Sequence, residues 1–193
     1  VPGSPYCISA YEPDDRMGGW EGVDAARQEL RARGIALMLD FVPNHTAFDH
    51  EWIRLHPERY VQGSEDDLRA APNDFRAVGD AIIACGRDPY FAPWRDVAQL
   101  NYFNADTRSA MAGELQTIAA HCEGVRCDMA MLVLNEVFER TWRRILRDRW
   151  PPLSGVFWPV VIPRFADMLF LAEVYWDLEW TMMQQGFDYA YDK

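Results

Sequence analysis

Three short apolar runs, set apart by stretches of helical periodicity, restrict this chain more than any other feature. They are Ile35–Val42, Gly124–Ala130 and Met168–Glu173. Buried parallel strands read as nearly continuous aliphatic runs, and strands that alternate with helices pair in parallel through right-handed crossovers. The middle run, Gly124-Val125-Arg126-Cys127-Asp128-Met129-Ala130, departs from that rule by carrying two charges two positions apart. On a strand such a pair faces one side. A core ion pair, a solvent-facing edge strand and a functional site all remain open for it, because buried charges are usually paired whatever their role.

The rest of the chain is read around these runs. Residues 1–20 show no periodicity and predict a loop. A helix is expected over about Glu21–Arg33, with Val23, Ala26 and Leu30 on its inner face and Gly34 as its stop. Periodicity is lost from Thr46 to about Asp106. Four prolines and scattered aromatics, Trp52, Tyr60, Phe75, Tyr90, Phe91 and Trp94 among them, predict an inserted excursion there, too long for an ordinary connection. Helical spacing returns over Thr107–Cys122 and again over Leu134–Arg149. In the second helix Phe138, Trp142 and Ile145 point inward, Arg143, Arg144, Arg147 and Arg149 suit the negative C-terminal end, and Pro151-Pro152 is the stop. A short helix near Phe157–Arg164 and a last one over Asp177–Gln185 complete an α/β order with three parallel strands.

Composition narrows the function classes. The 193 residues suffice for one domain with a real core. A formal charge of −11 opposes a nucleic-acid partner, which needs a basic face. No apolar run reaches membrane-spanning length, and Val1-Pro2-Gly3-Ser4 does not open a signal peptide. The chain lacks an initiator methionine, which predicts a piece of something longer and leaves cytoplasmic and secreted locations open. The four cysteines form no CxxC pair, so neither a zinc ribbon nor a thioredoxin-type site is indicated, and Cys127 is expected to pack as a small hydrophobe. His50-Glu51 begins like the HExxH zinc motif, but Arg54 stands where the second histidine is needed.

Each run delivers polar residues at its C-terminal end: Asn44 and His45, Arg126 and Asp128, Glu173. That end of a parallel sheet is where α/β sites are built. Asp128 and Glu173 on neighbouring strands, roughly 4.8 Å apart, suit the roughly 5 to 5.5 Å carboxyl spacing of a retaining glycosidase. Arg126 is expected to keep Asp128 ionised, while Glu173, beside Val174, Tyr175 and Trp176, is expected to keep its proton. The same letters also serve a metal-dependent hydrolase or a structural ion-pair cluster.

Asp40-Phe41-Val42-Pro43-Asn44-His45, Gly124-Val125-Arg126-Cys127-Asp128 and Ala172-Glu173-Val174 resemble three signature segments of the α-amylase family of retaining glycoside hydrolases, in the family's order and spacing. Gln99-Leu100-Asn101 resembles a further signature, and Gly3-Ser4-Pro5-Tyr6 and Ser9-Ala10-Tyr11 look like the loop after the second barrel strand. The resemblance implies part of a TIM (β/α)8 barrel with an irregular domain B insertion after strand three. Residues 1–45 and 107–193 are then barrel portions, and 46–106 are the domain B-like excursion.

The resemblance further implies Asp128 as nucleophile, Glu173 as general acid/base and Arg126 as the nucleophile's hydrogen-bond partner. His45 and Tyr6 are implied to contact the sugar at the cleaved residue, and Asp40 to be structural. The implied substrate is an α-linked glucose oligo- or polysaccharide, cleaved or transferred by double displacement without a required cofactor. Asn44 matches a position that binds calcium in many relatives, whereas Gln99 stands where a calcium-binding aspartate is expected. Met131-Leu132 replace the Lys-His that many amylases carry after the nucleophile, which points to short α-glucosides.

Strands beyond the fifth and the third family carboxylate have no counterpart in this sequence. Such a slice exposes strand edges and helix faces, so association with itself or with missing strands is expected. An inactive fragment, or a non-catalytic relative kept for binding or assembly, is the alternative reading. Retention of Asp128, Glu173 and Arg126 opposes the non-catalytic relative.

Overall fold

A computed structural model of the protein describes residues 4–146 and 155–192. Residues 1–3, the C-terminal part of the expected 134–149 helix with Arg147 and Arg149, and the Pro151-Pro152 stop lie outside the described residues. The chain divides into two compact units.

One unit comprises Tyr11–Pro43, Met111–Met131 and Phe157–Lys193. Its centre is a parallel sheet of β1 (Met38–Phe41), β6 (Gly124–Cys127), β7 (Leu169–Glu173) and β8 (Tyr189–Tyr191), in that spatial order. Three strands were expected from the apolar runs; the fourth, β8, is short and flanked by Asp188 and Asp192. Its entry is spliced onto β7 by Asp188, whose N–H donates to the Phe170 carbonyl (3.1 Å) while its carboxylate accepts from the Phe170 N–H (2.8 Å). Gly124 opens β6 because a side chain there has no room: an added Cβ meets the Leu169 carbonyl oxygen at 2.9 Å.

The sheet has two unlike faces. Phe41, Val125, Cys127, Phe170 and Ala172 are fully buried on one of them. Phe170 lies against Phe187, and Phe187 and Phe41 against Trp158, with ring centroids 4.8 to 6.4 Å apart. Cys127 packs as a small hydrophobe, and burial pushes its thiol well up. The other face carries Asp40, Arg126, Leu171 and Tyr191 and is half-exposed. The expectation of strands buried on both faces is therefore corrected: burial alternates along β7, and β1 is an edge strand with Met38 exposed.

The helices follow the sequence periodicity with shifted bounds. α1 (Gly19–Arg31) ends before Gly34, whose φ of +72° is one that side chains disfavour. None of its residues is buried, so the inner face expected at Val23, Ala26 and Leu30 is not a core face among the described residues. α4 (Ala105–Ala119), of which this unit holds the part from Met111 on, starts earlier than expected and buries Met111, Leu115 and Ile118, as its spacing requires. α6 (Trp158–Val161), continued by a 3-10 turn to Arg164, and α7 (Glu179–Gln184) complete the unit.

The other unit comprises Val1–Ala10, Asn44–Ala110 and Leu132–Val156. The stretch expected to be irregular is ordered: β2 (His45–Ala47), β3 (Phe75–Val78), β4 (Ala81–Gly86) and β5 (Trp94–Gln99) form an antiparallel sheet in the order β2-β5-β4-β3. Strands of three to six residues broken by a bulge at Cys85/Gly86 leave no period long enough to read. Short helices α2 (Glu51–Leu55) and α3 (Glu65–Ala70) accompany the sheet, α3 with a Ser64/Asp67 capping box. α5 (Asn135–Leu146) buries Phe138, Trp142 and Ile145 as the spacing predicts.

Candidate active site

The β1–β6 register sets Asp40 opposite Arg126, and the β7–β8 register sets Glu173 opposite Tyr191. Asp128 follows directly on β6, and its N–H donates to the Phe41 carbonyl (2.8 Å), extending the β1–β6 ladder by one step. Arg126 and Asp128 thus share a face, as their spacing requires.

The Arg126 guanidinium ties the sheet together across its width. Nη1 donates to Asp40 (2.7 Å) and to Asp128 (3.0 Å), Nη2 to Glu173 Oε2 (2.6 Å), and Nε to the Tyr191 hydroxyl (3.0 Å). Asp128 and Glu173 are each only 4% exposed, and the Arg126 side chain 14%. Burial opposes the Arg126 charge, but Asp40, Tyr191 and the two buried carboxyls outweigh it and push its pKa up. A charge held this firmly is a fixed electrostatic element of the site.

The two carboxyls differ in surroundings, though not in the way expected. Burial pushes Asp128 up to about 7; Arg126 works against the rise, and the neighbouring Glu173, in hydrogen-bonding reach, adds to it. The expectation that Arg126 keeps Asp128 ionised is corrected, because desolvation of a carboxyl this deep exceeds the attraction of one shared guanidinium. Glu173 does not sit among apolar groups as expected either. Besides Arg126, the Met129 N–H donates to its Oε2 (3.1 Å) and the Tyr175 hydroxyl to its Oε1 (2.9 Å).

Tyr175 and Tyr191 are site residues that the sequence reading missed. Tyr175 was counted there as an apolar neighbour, and its E-x-Y position was the signal available. Tyr191 belongs to the strand that went unread, so no signal pointed to it.

Tyr6, Asn44 and His45 fall in the other compact unit. Tyr6 is 37% exposed. His45 is buried with its ring 5.5 Å from that of Trp94, and burial drives its pKa down to about 4 against the pull of Asp96 and the Tyr6 backbone. At neutral pH it is an uncharged donor and acceptor. Asn44 is locked to Gln99: its Oδ1 accepts from Gln99 Nε2 (2.9 Å) and its Nδ2 donates to Gln99 Oε1 (3.2 Å). Calcium takes six to eight oxygens, and here the asparagine oxygen already faces an amide nitrogen. Asn44 and Gln99 in this pairing do not fit a calcium ion.

A half-exposed face with two buried carboxyls at the C-terminal end of a parallel sheet, bridged by one guanidinium, defines an α/β fold with the layout of an acid/base site. No protein-family model and no curated protein matches the sequence. Solved structures do. An α-amylase from Lactobacillus plantarum is similar over 97% of this chain and 36% of its own (23% identity, TM-score 0.59). A maltogenic α-amylase, AmyB, from Thermotoga neapolitana is similar over 98% and 36% (22%, 0.60), and the isomaltulose synthase of Klebsiella sp. LX3 over 100% and 40% (18%, 0.69). The likeness establishes that the chain has the α/β fold of these enzymes over the matched region. It spans about two fifths of their length.

Proposed function

We propose that this chain is the part of an α-amylase-family glycoside hydrolase or transglycosylase that carries the nucleophile and the acid/base, acting on α-linked glucosides by double displacement. The observation that carries the reading is the buried Asp128–Glu173 pair on one guanidinium. An acid/base mechanism needs one ionised and one protonated carboxyl, and two buried carboxyls this close titrate as a unit that holds one proton over a range of pH. Burial pushes Asp128 up, which extends that range toward neutrality.

In this reading the one proton that the pair holds lies on Glu173 in the reacting form: the Asp128 carboxylate attacks the anomeric carbon as the glycosidic C–O bond breaks, and Glu173 gives that proton to the departing oxygen. Water or a sugar hydroxyl then displaces Asp128 and returns a proton to Glu173. Arg126 holds both carboxyls and offsets the negative charge left when the proton departs. Residues 46–106 correspond to the domain B excursion, and Met131-Leu132 in place of Lys-His favour short α-glucosides over long chains.

The test is trapping. When the complete protein is incubated with 5-fluoro-α-D-glucosyl fluoride, the reagent is expected to release its anomeric fluoride and leave a fluoroglucosyl ester on the peptide containing Asp128, detected by mass spectrometry. Asp128→Asn is expected to abolish the adduct and lower turnover of an aryl α-glucoside by about 10⁴-fold. An adduct elsewhere, or undiminished turnover, refutes the assignment.

A further inference from the structure

Among the described residues, side-chain-bearing positions adopt a positive φ at only three places: Met129 (+44°), Trp176 (+66°) and Asp177 (+58°). All three lie within four positions of a site carboxyl. Left-handed backbone at such residues is strained and persists where the surroundings demand it. The demand is visible at Met129. The left-handed turn just after Asp128 aims the Met129 N–H at Glu173 Oε2 (3.1 Å), and the Trp158 indole N–H pins the next residue by donating to the Ala130 carbonyl (2.9 Å). The paired left-handed residues at 176–177 do the same on the other side. They turn the chain immediately after Tyr175, whose hydroxyl reaches back two residues to Glu173 Oε1 (2.9 Å). Val174, between them, is fully buried and its N–H is tied to the Tyr191 carbonyl (3.0 Å), so the segment has no slack.

From this geometry we infer that Tyr175 is a positioning residue for Glu173: its hydroxyl, presented by the left-handed turn at Trp176–Asp177, holds Oε1 while Arg126 and the Met129 N–H hold Oε2. The inference deepens the function proposed above and rests on it. Glu173 is thereby restrained at both oxygens in a single rotamer. The phenol is suited to the task because burial and the adjoining Glu173 push its own pKa up to about 12, so it stays a donor throughout the working range.

Tyr175→Phe keeps the ring and removes the donor. Two substrates separate positioning from mere structure: an alkyl α-glucoside, whose poor leaving group needs the acid, and α-glucosyl fluoride, whose leaving group does not. The variant of the complete protein is expected to lose about ten-fold in kcat on the alkyl glucoside with little change in KM. Glucosyl fluoride turnover is expected to stay within about two-fold. Retained turnover of the fluoride also shows that the variant is folded. An unchanged kcat on the alkyl glucoside, or equal losses on both substrates, overturns the role of Tyr175 and leaves the glycosidase reading intact. A wild-type protein that turns over neither substrate overturns both.

Discussion

Arg126 carries one positive charge and answers three carboxylates, Asp40, Asp128 and Glu173. Burial raises the pKa of Asp128, the neighbouring Glu173 adds to the rise, and its share of that one guanidinium offsets it only in part. This has a consequence for stability. The ordinary Asp128 value is 3.8 and the folded one about 7. Between those pH values the native protein holds a proton that the unfolded chain has lost, so Asp128's contribution to stability is full below about 4 and is lost as pH rises through about 7. Asp128→Asn is expected to remove that slope and to gain about 4 kcal/mol on the wild type between pH 4 and pH 8. Urea unfolding at the two pH values measures it; a variant whose stability declines with pH as steeply as the wild type contradicts the assignment. The identity of the site carboxyls was legible in the sequence, because Arg126 and Asp128 interrupt an apolar run. Their electrostatics was not, since desolvation depends on what covers a group, and Tyr175 read as apolar until its hydroxyl was placed.

At the scale of elements, legibility followed the strength of the period. α5 was readable from the spacing of Phe138, Trp142 and Ile145, and β6 and β7 from unbroken apolar runs. β8 was not, because two exposed or half-exposed tyrosines and an alanine between aspartates carry no apolar signature. Its strand character comes from pairing with β7, a tertiary fact. β7 is an inner strand of the parallel sheet, and its one aromatic, Phe170, is fully buried near Phe165 and Phe187. Phe170→Ala is expected to cost about 3–5 kcal/mol, read as a fall in the urea midpoint at unchanged slope. A loss below about 1 kcal/mol shows that the sheet core collapses to fill the space and is not packed as described.

At the scale of the whole molecule, β1 and β8 are the open edges of the parallel sheet, and Ile35, Met38 and Tyr189 are exposed on or beside them. Unpaired parallel edges with apolar neighbours recruit partners. The 193-residue chain is therefore expected to elute above its 22.3 kDa mass in size-exclusion chromatography with light scattering. A monomer at micromolar concentration argues that these edges are protected. Among the described residues no helix is long and apolar enough to cross a membrane.

The sequence by itself determined the α/β alternation, the helices with clear apolar spacing and the two carboxyls with their arginine, because periodicity and interrupted apolar runs are written in consecutive residues. Only the tertiary structure decided that a fourth strand closes on β7, that the 46–106 stretch folds as an antiparallel sheet, and that one guanidinium and two tyrosine hydroxyls surround the acids. Those outcomes depend on contacts between residues far apart in the chain, whose burial and hydrogen bonds no local pattern encodes.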